Sequence, residues 1–469
     1  MKFKHLVLFT AVLALLVVAV FLKNRQKPAE LTDEEYRPLG IEIQDAAVSS
    51  IEIGKGKDAK LVELRKGDAG DWRIPTFLDA RADKNKIDQL MKALREAKGE
   101  LRAKEKALYA DFGIGDDTGF RIAFLDKAGN PLQVVHLGTK KTAYSAAFVR
   151  HTGSDNVFYT DADPLGKIGV YEDPEKTAPT NEFWAELHLL DKNIEAYDSV
   201  MTERFQDGKA LLTSHVRRMV DPSDLSKKKW GYVREGMPFA LDAEKIKEFL
   251  RSFETRPASK ALDPKAKDYG FATPKWKLTL HRETGEDVVL TAGAEDTAAK
   301  GVYMQVSTEP VVFLFPNFYF TTIDIDDSKF VAANPFGIDP DKIEKIFVHT
   351  PSGEVDIAPK EDKRTPVTTF VTNLKNLTPT KLMFDPARKI NASSGQLHWI
   401  EIKRAGSAET IFLDVEGKVL ESGREFLASK RGANQAFVIN ETTFTNLFGN
   451  LEALKKSEPV VAAEPAKAS

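Results

Sequence analysis

The sequence predicts an α+β protein: an N-terminal transmembrane helix, then tandem repeated units, each an antiparallel sheet with one packed amphipathic helix. Three observations carry this. An uncharged apolar run spans Leu6 to Leu22, a helical apolar pattern recurs three times, and strand-like segments with glycine turns flank each recurrence.

Leu6 to Leu22 is 17 residues long, with Thr10 its only polar member. As a helix it covers roughly 25 Å, the short end of a membrane span. Lys2, Lys4 and His5 precede it, and Lys23, Arg25 and Lys27 follow, so flanking lysines can snorkel. A cleaved signal peptide shares the charged start and apolar core. Here Val18-Ala19-Val20-Phe21-Leu22 runs straight into Lys23-Asn24-Arg25, a poor cleavage site, so an uncleaved anchor is the reading. Basic residues at both ends nearly balance the positive-inside bias. A short tail before a large body favours a signal anchor, with the N-terminus cytoplasmic and the bulk of the chain outside.

The helix pattern occurs at Ile87, Leu90, Met91 and Leu94, at Ile246, Phe249, Leu250 and Phe253, and at Val367, Phe370, Val371 and Leu374. Each set has i, i+3, i+4, i+7 spacing and makes one stripe. Asp83, Asp242 and Thr365 stand where N-caps belong, and Pro366 suits a first turn. Strands precede these helices at Ser50–Ile53, Leu61–Leu64 and Asp71–Ile74, at Val200–Thr202 and Trp230–Val233, and at Ile346–Val348. Tyr109 to Ile114 and Tyr269-Gly270-Phe271 follow the first two helices. Hairpins come next: Phe120–Leu125 with Leu132–Leu137, Trp276–His281 with Asp287–Leu290, and Leu397–Lys403 with Glu409–Leu413. A glycine-bearing turn joins each pair. The closing strands are Ala146–Arg150 with Val157–Tyr159, Gly301–Val306 with Val311–Phe315, and Phe426–Lys430 with Ala436–Ile439. Each unit reads β-β-β-α-β-β-β-β with a short terminal helix. The expected divisions are the anchor at 1–27, units at 38–180, 185–332 and 335–456, and a disordered tail at 457–469.

The apolar anchor, the Ile51-Glu52-Ile53 strand, the Trp72 strand, the amphipathic helix and the Tyr/Phe-Gly turn resemble the bacterial domain-of-unknown-function 4340 family. The likeness is strongest over 45–165 and 195–320. The third unit departs from it, lacking the Trp strand and the Tyr-Gly turn. The resemblance implies a cell-envelope protein of the cytoplasmic membrane, often encoded beside ABC transporters of the gliding-motility type. It implies no catalytic residue.

Composition narrows the function further. The 469 residues carry no cysteine and a formal net charge of −3. That removes thiol chemistry, disulfides and iron–sulfur ligation, and it argues against nucleic acid. The balance hides an asymmetry: residues 1–27 carry +5 and the remainder −8. No phosphate-binding glycine motif, no zincin motif and no Gly-x-Ser-x-Gly elbow occurs. His5, His136, His151, His188, His215, His281, His349 and His398 show no ligand spacing, so no metal or cofactor is expected. Ser393-Ser394-Gly395 reads as a loop. Asp324, Asp326 and Asp327 read as a polar connector, and Asp161 with Asp163 as a smaller cluster. Lys227-Lys228-Lys229 reads as part of a long loop.

Val311 to Phe320 is the most apolar segment of the body. Its plain reading is a buried strand, a turn at Pro316-Asn317 and a packed segment. Its sharper reading is an interaction patch at Phe313, Phe315, Phe318, Tyr319 and Phe320. The expectation is a non-catalytic interaction module, an accessory of an envelope transporter. The alternatives are a periplasmic binding protein for a small molecule or envelope polymer, and an enzyme whose site is assembled only in space.

Overall fold

The computed structural model describes residues 36–455, apart from 141, 143–145, 191–192, 222–223, 234–238, 325–326, 384–389, 391–394, 409, 421–422 and 434–435. The expected anchor, the tail, Asp326, Ser393 and Ser394 lie outside the described residues. Among those described, no helix is long and apolar enough to cross a membrane.

The architecture is α+β with three antiparallel sheets. The first sheet contains β1 (Tyr36–Pro38), β2 (Ser50–Lys55), β3 (Asp58–Lys66), β4 (Trp72–Ile74) and β5 (Ala80–Arg81). Helix α1 (Lys84–Glu96) follows, then β6 (Lys98–Ala103), β7 (Phe120–Leu125), β8 (Pro131–Leu137), β9 (Ala147–His151), β10 (Val157–Thr160) and the short α2 (Asn181–Trp184). The second holds β11 (Tyr197–Gln206), β12 (Lys209–Asp221), β13 (Asp224–Tyr232), α3 (Ala243–Thr255), β14 (Lys260–Leu262), β15 (Trp276–Arg282), β16 (Val288–Asp296), β17 (Gly301–Val306), β18 (Val312–Pro316) and α4 (Asn317–Ile323). The third holds β19 (Ile343–Thr350), β20 (Gly353–Ile357), α5 (Thr365–Lys375), β21 (Lys381–Met383), β22 (Leu397–Arg404), β23 (Thr410–Val419), β24 (Glu425–Lys430), β25 (Ala436–Asn440), α6 (Glu441–Phe448) and α7 (Leu451–Leu454).

One wiring serves all three. The strand orders contain β4-β3-β2-β7-β8-β9-β10-β6, then β13-β12-β11-β15-β16-β17-β18-β14, then β20-β19-β22-β23-β24-β25-β21. β2, β11 and β19 pair with the first strand of the later meander, β7, β15 and β22. The strand just after the helix pairs with the last strand at the far edge: β6 with β10, β14 with β18, β21 with β25. The expected unit pattern omits this strand, because three residues such as Lys260–Leu262 carry no legible alternation. The third sheet has only two strands before its helix, which is where the Trp strand is missing from the sequence.

The stripes pack as their spacing requires. Ile87, Leu90, Met91 and Leu94 are buried, as are Ile246, Phe249, Leu250 and Phe253, and Val367, Phe370, Val371 and Leu374. Asp83 accepts from the amides of Asn85 and Lys86, and Asp242 from those of Glu244 and Lys245. Thr365 is not the third cap. It is the first helical residue, and Arg364 stands at the cap position with no side-chain cap bond.

Each unit closes the same way, with the chain returning over the start of its own helix. Asp83 N donates to Trp184 O at 2.7 Å, and Asp242 N to Phe330 O at 2.8 Å. In the third unit the Arg364 guanidinium donates to Leu454 O at 3.1 Å and Lys455 O at 2.9 Å. Trp184, Phe330 and Leu454 are all buried under this return. The first unit therefore runs to Glu186, past the expected end at 180.

The described residues divide into two compact units, one ending at Glu186 and one beginning at Leu187, so the second and third sheets share one body. Phe239, Phe336 and Phe437 join them, with ring centroids 5.1–5.9 Å apart. Ser328 Oγ also donates to Thr380 O at 3.1 Å. The expected seam near residues 332–335 falls within this second compact unit.

Candidate functional site

The aromatic segment splits into two environments. Phe313 and Phe315 are 1% and 0% exposed, which removes them from any surface patch. On the same strand β18, Val312 and Leu314 are buried in a cluster with Tyr269 and Tyr303. The expected turn at Pro316-Asn317 is instead the start of α4, with Pro316 at its N-cap position. On α4 Phe318 is 76% exposed. Tyr319 and Phe320 are half-buried, packed near Phe315 and edge-on to Trp276.

The charged motifs are mostly spoken for. Asp324 accepts from Arg204 at 2.8 Å, and Asp327 is buried. Asp161 accepts from the Tyr36 hydroxyl at 2.7 Å and pushes that phenol up to about 12. Asp163 caps Gly166 N at 3.2 Å. Lys227, Lys228 and Lys229 lie in strand β13, not a loop, and pair with Asp224, Glu283 and Asp221. Among the described residues, no cluster of three His, Asp or Glu side chains could hold a metal ion.

The histidines do not converge on one site. His136 lies 3.8 Å from Asp116. Burial, then the neighbouring Arg150, push its imidazole down to about 4. Burial also holds His398 down, and its Nδ1 sits 2.9 Å from Gln396 O. The nearest thing to a catalytic pair escaped the sequence reading, because β11 and β12 bring it together. Ser199 Oγ lies 2.7 Å from His215 Nε2. The carboxylate a triad would need is on another ring: Asp287 pairs with His281 at 2.6 Å. Burial, then Arg217 and His281, keep His215 below its ordinary value.

A different site emerges inside the second unit. A cleft of about 720 Å³ lies between α3 and the residues leading into and out of the third sheet. Lys245, Phe249 and Ser252 line it from one face of α3, at helical spacing, and Arg256 joins them from the C-cap of that helix. Lys329, Phe330, Asn376, Thr380 and Asn440 also line it. Lys245 Nζ donates to Val331 O at 2.8 Å, and Arg256 donates to the Thr322 hydroxyl. Among the described residues, Lys245, Arg256 and Lys329 make no ion pair, and Glu248 is the lining's single carboxylate.

Two other clefts lack this imbalance. In the one at Arg218, Lys228 and Lys247, those cations pair with Glu195 and Glu283. In the one at Lys55 and Lys140, Lys140 pairs with Glu175 at 2.7 Å and Lys55 donates to three backbone carbonyls. The candidate site is therefore the cationic cleft, with exposed Phe318 on the same short helix as its Thr322.

One glycine position recurs in all three sheets, one residue past the partner of the following meander's first strand. Gly138 follows Leu137, paired with Phe120; Gly293 follows Ala292, paired with Trp276; Gly417 follows Glu416, paired with Leu397. A Cβ there would meet Phe112 O at 2.4 Å, Tyr269 O at 2.2 Å and Gln396 O at 2.8 Å. The third unit thus keeps this close approach even though its Tyr-Gly turn is gone.

A family model described as Domain of unknown function (DUF4340) matches residues 72–167 and 230–414, together more than half of the chain. Searches of curated proteins and of solved structures return no match.

Proposed function

The chain belongs to the DUF4340 family, and we propose that it is a single-pass, membrane-anchored, non-catalytic interaction module of a cell-envelope transport system. The observation that carries this is the run Leu6–Leu22, flanked by lysines and followed by a body of sheets. The run holds the chain at the cytoplasmic membrane, and the body stands outside it. The partners are subunits of an ABC-type transporter, as the family resemblance implies. Comparing the full chain with one lacking residues 1–27 tests the arrangement. The full chain stays with membranes after alkaline extraction and its body is digested by protease from the outer side. The shortened chain becomes extractable. A full chain released by alkali, or a body protected from outside, overturns the reading.

A second reading is favoured by the unpaired cations of the cleft: the body binds a small molecule or an envelope polymer.

A further inference from the structure

We propose that the cleft between α3 and the third sheet binds a ligand carrying a phosphate group on a larger organic body. This rests on the second reading above, that the body binds a ligand. Lys245, Arg256 and Lys329 converge on one cleft without an internal ion pair, and Glu248 offsets only one of them. Charges of one sign gathered in a concave, low-dielectric site focus their field on an incoming anion. A phosphate group, with two negative charges and three accepting oxygens, answers several separate cations better than a single planar carboxylate does. Asn440 Oδ1 already accepts from Thr443 N, which leaves its amide N–H groups as further donors.

The size and walls argue for more than free phosphate. A volume of about 720 Å³ falls within the span of small-molecule sites. Phe249 and Phe330, 5.3 Å apart and edge-on, supply an apolar wall beside the cations. The site is also particular to the second unit. Aligned on the caps Asp83 and Asp242, Ala97 stands where Arg256 does. Aligned on the returns at Trp184 and Phe330, Phe183 stands where Lys329 does. The first unit keeps the wiring without these two charges, so the fold does not require them.

Titration calorimetry on the full chain in detergent tests this with inorganic phosphate, glucose 6-phosphate and dihexanoyl-phosphatidic acid, beside citrate and glucose. At least one phosphate ester binds, and Lys329→Ala and Arg256→Ala each weaken it by about tenfold or more. Lys329→Arg restores binding, added salt weakens it, and Lys229→Ala leaves it unchanged. Preference for the sugar phosphate or for the short-chain lipid identifies a soluble or a headgroup source, and either supports the proposal. Failure of every phosphate probe, or binding untouched by both substitutions, overturns it. Binding of citrate or glucose instead overturns the phosphate assignment and leaves the second reading standing. Failure of the whole panel removes both.

Discussion

At the scale of single residues, burial decides what the sequence could only pose. Phe313 and Phe318 belong to one apolar run, yet one is core and the other is 76% exposed. The difference is a strand end at Pro316, after which a helix turns Phe318 outward. Pairings such as Ser199 with His215, or the gathering of Lys245, Arg256 and Lys329, join distant positions and leave no linear trace. His136 yields a prediction. Its imidazole titrates at about 4 when folded and near 6.5 when unfolded. The unfolded chain therefore binds the extra proton first as pH falls. Stability is unaffected above about 6.5 and is lost between about 6.5 and 4. In His136→Gln, urea titrations over that window show a shallower loss than wild type, with a difference of roughly 1–3 kcal/mol. The repeated glycine gives another. Gly138→Ala and Gly293→Ala each cost about 1–3 kcal/mol, since the new Cβ would meet a backbone oxygen at 2.4 and 2.2 Å. Gly417→Ala costs a similar amount, since its Cβ would meet the His398 ring at 2.6 Å and Gln396 O at 2.8 Å. Substitutions without measurable cost at all three positions would contradict the shared close approach.

At the scale of elements, the three amphipathic helices were legible because each is long, periodic and flanked by turn residues. Their stripes bury as spaced, and two caps hold as read. The third cap failed because Pro366 draws the helix start back, placing Thr365 inside it. Asp83→Ala and Asp242→Ala each cost about 1 kcal/mol by denaturant midpoint, while Thr365→Ala costs little. The three-residue strands after the second and third helices were invisible, since their register is set by the far sheet edge and not by local pattern. So was the return over each helix start, made by backbone acceptors that any residue supplies. Trp184→Ala removes a fully buried ring at that return and costs about 3–5 kcal/mol. A loss below about 1 kcal/mol would show that the return does not close the unit.

At the scale of the whole molecule, repetition was readable and its assembly was not. The family match, the shared wiring and the three helices agree on recurrence. That the second and third sheets form one body depends on Phe239, Phe336 and Phe437, whose positions in sequence suggest nothing. A fragment ending at residue 332 keeps only Phe239 of that cluster and fails to fold alone, whereas 187–455 unfolds in one cooperative transition by calorimetry. The charge asymmetry fits the proposed division of labour: a basic N-terminal segment that meets the membrane, and an acidic body that carries a basic cleft. The central claim is that this body serves a transporter. Affinity purification of the full chain from mildly solubilised membranes of its native host, with partners identified by mass spectrometry, tests it most directly. The account predicts recovery of a permease and an ATPase subunit in fixed ratio to the chain. Recovery of the chain alone, in repeated preparations that keep other envelope complexes intact, would contradict it.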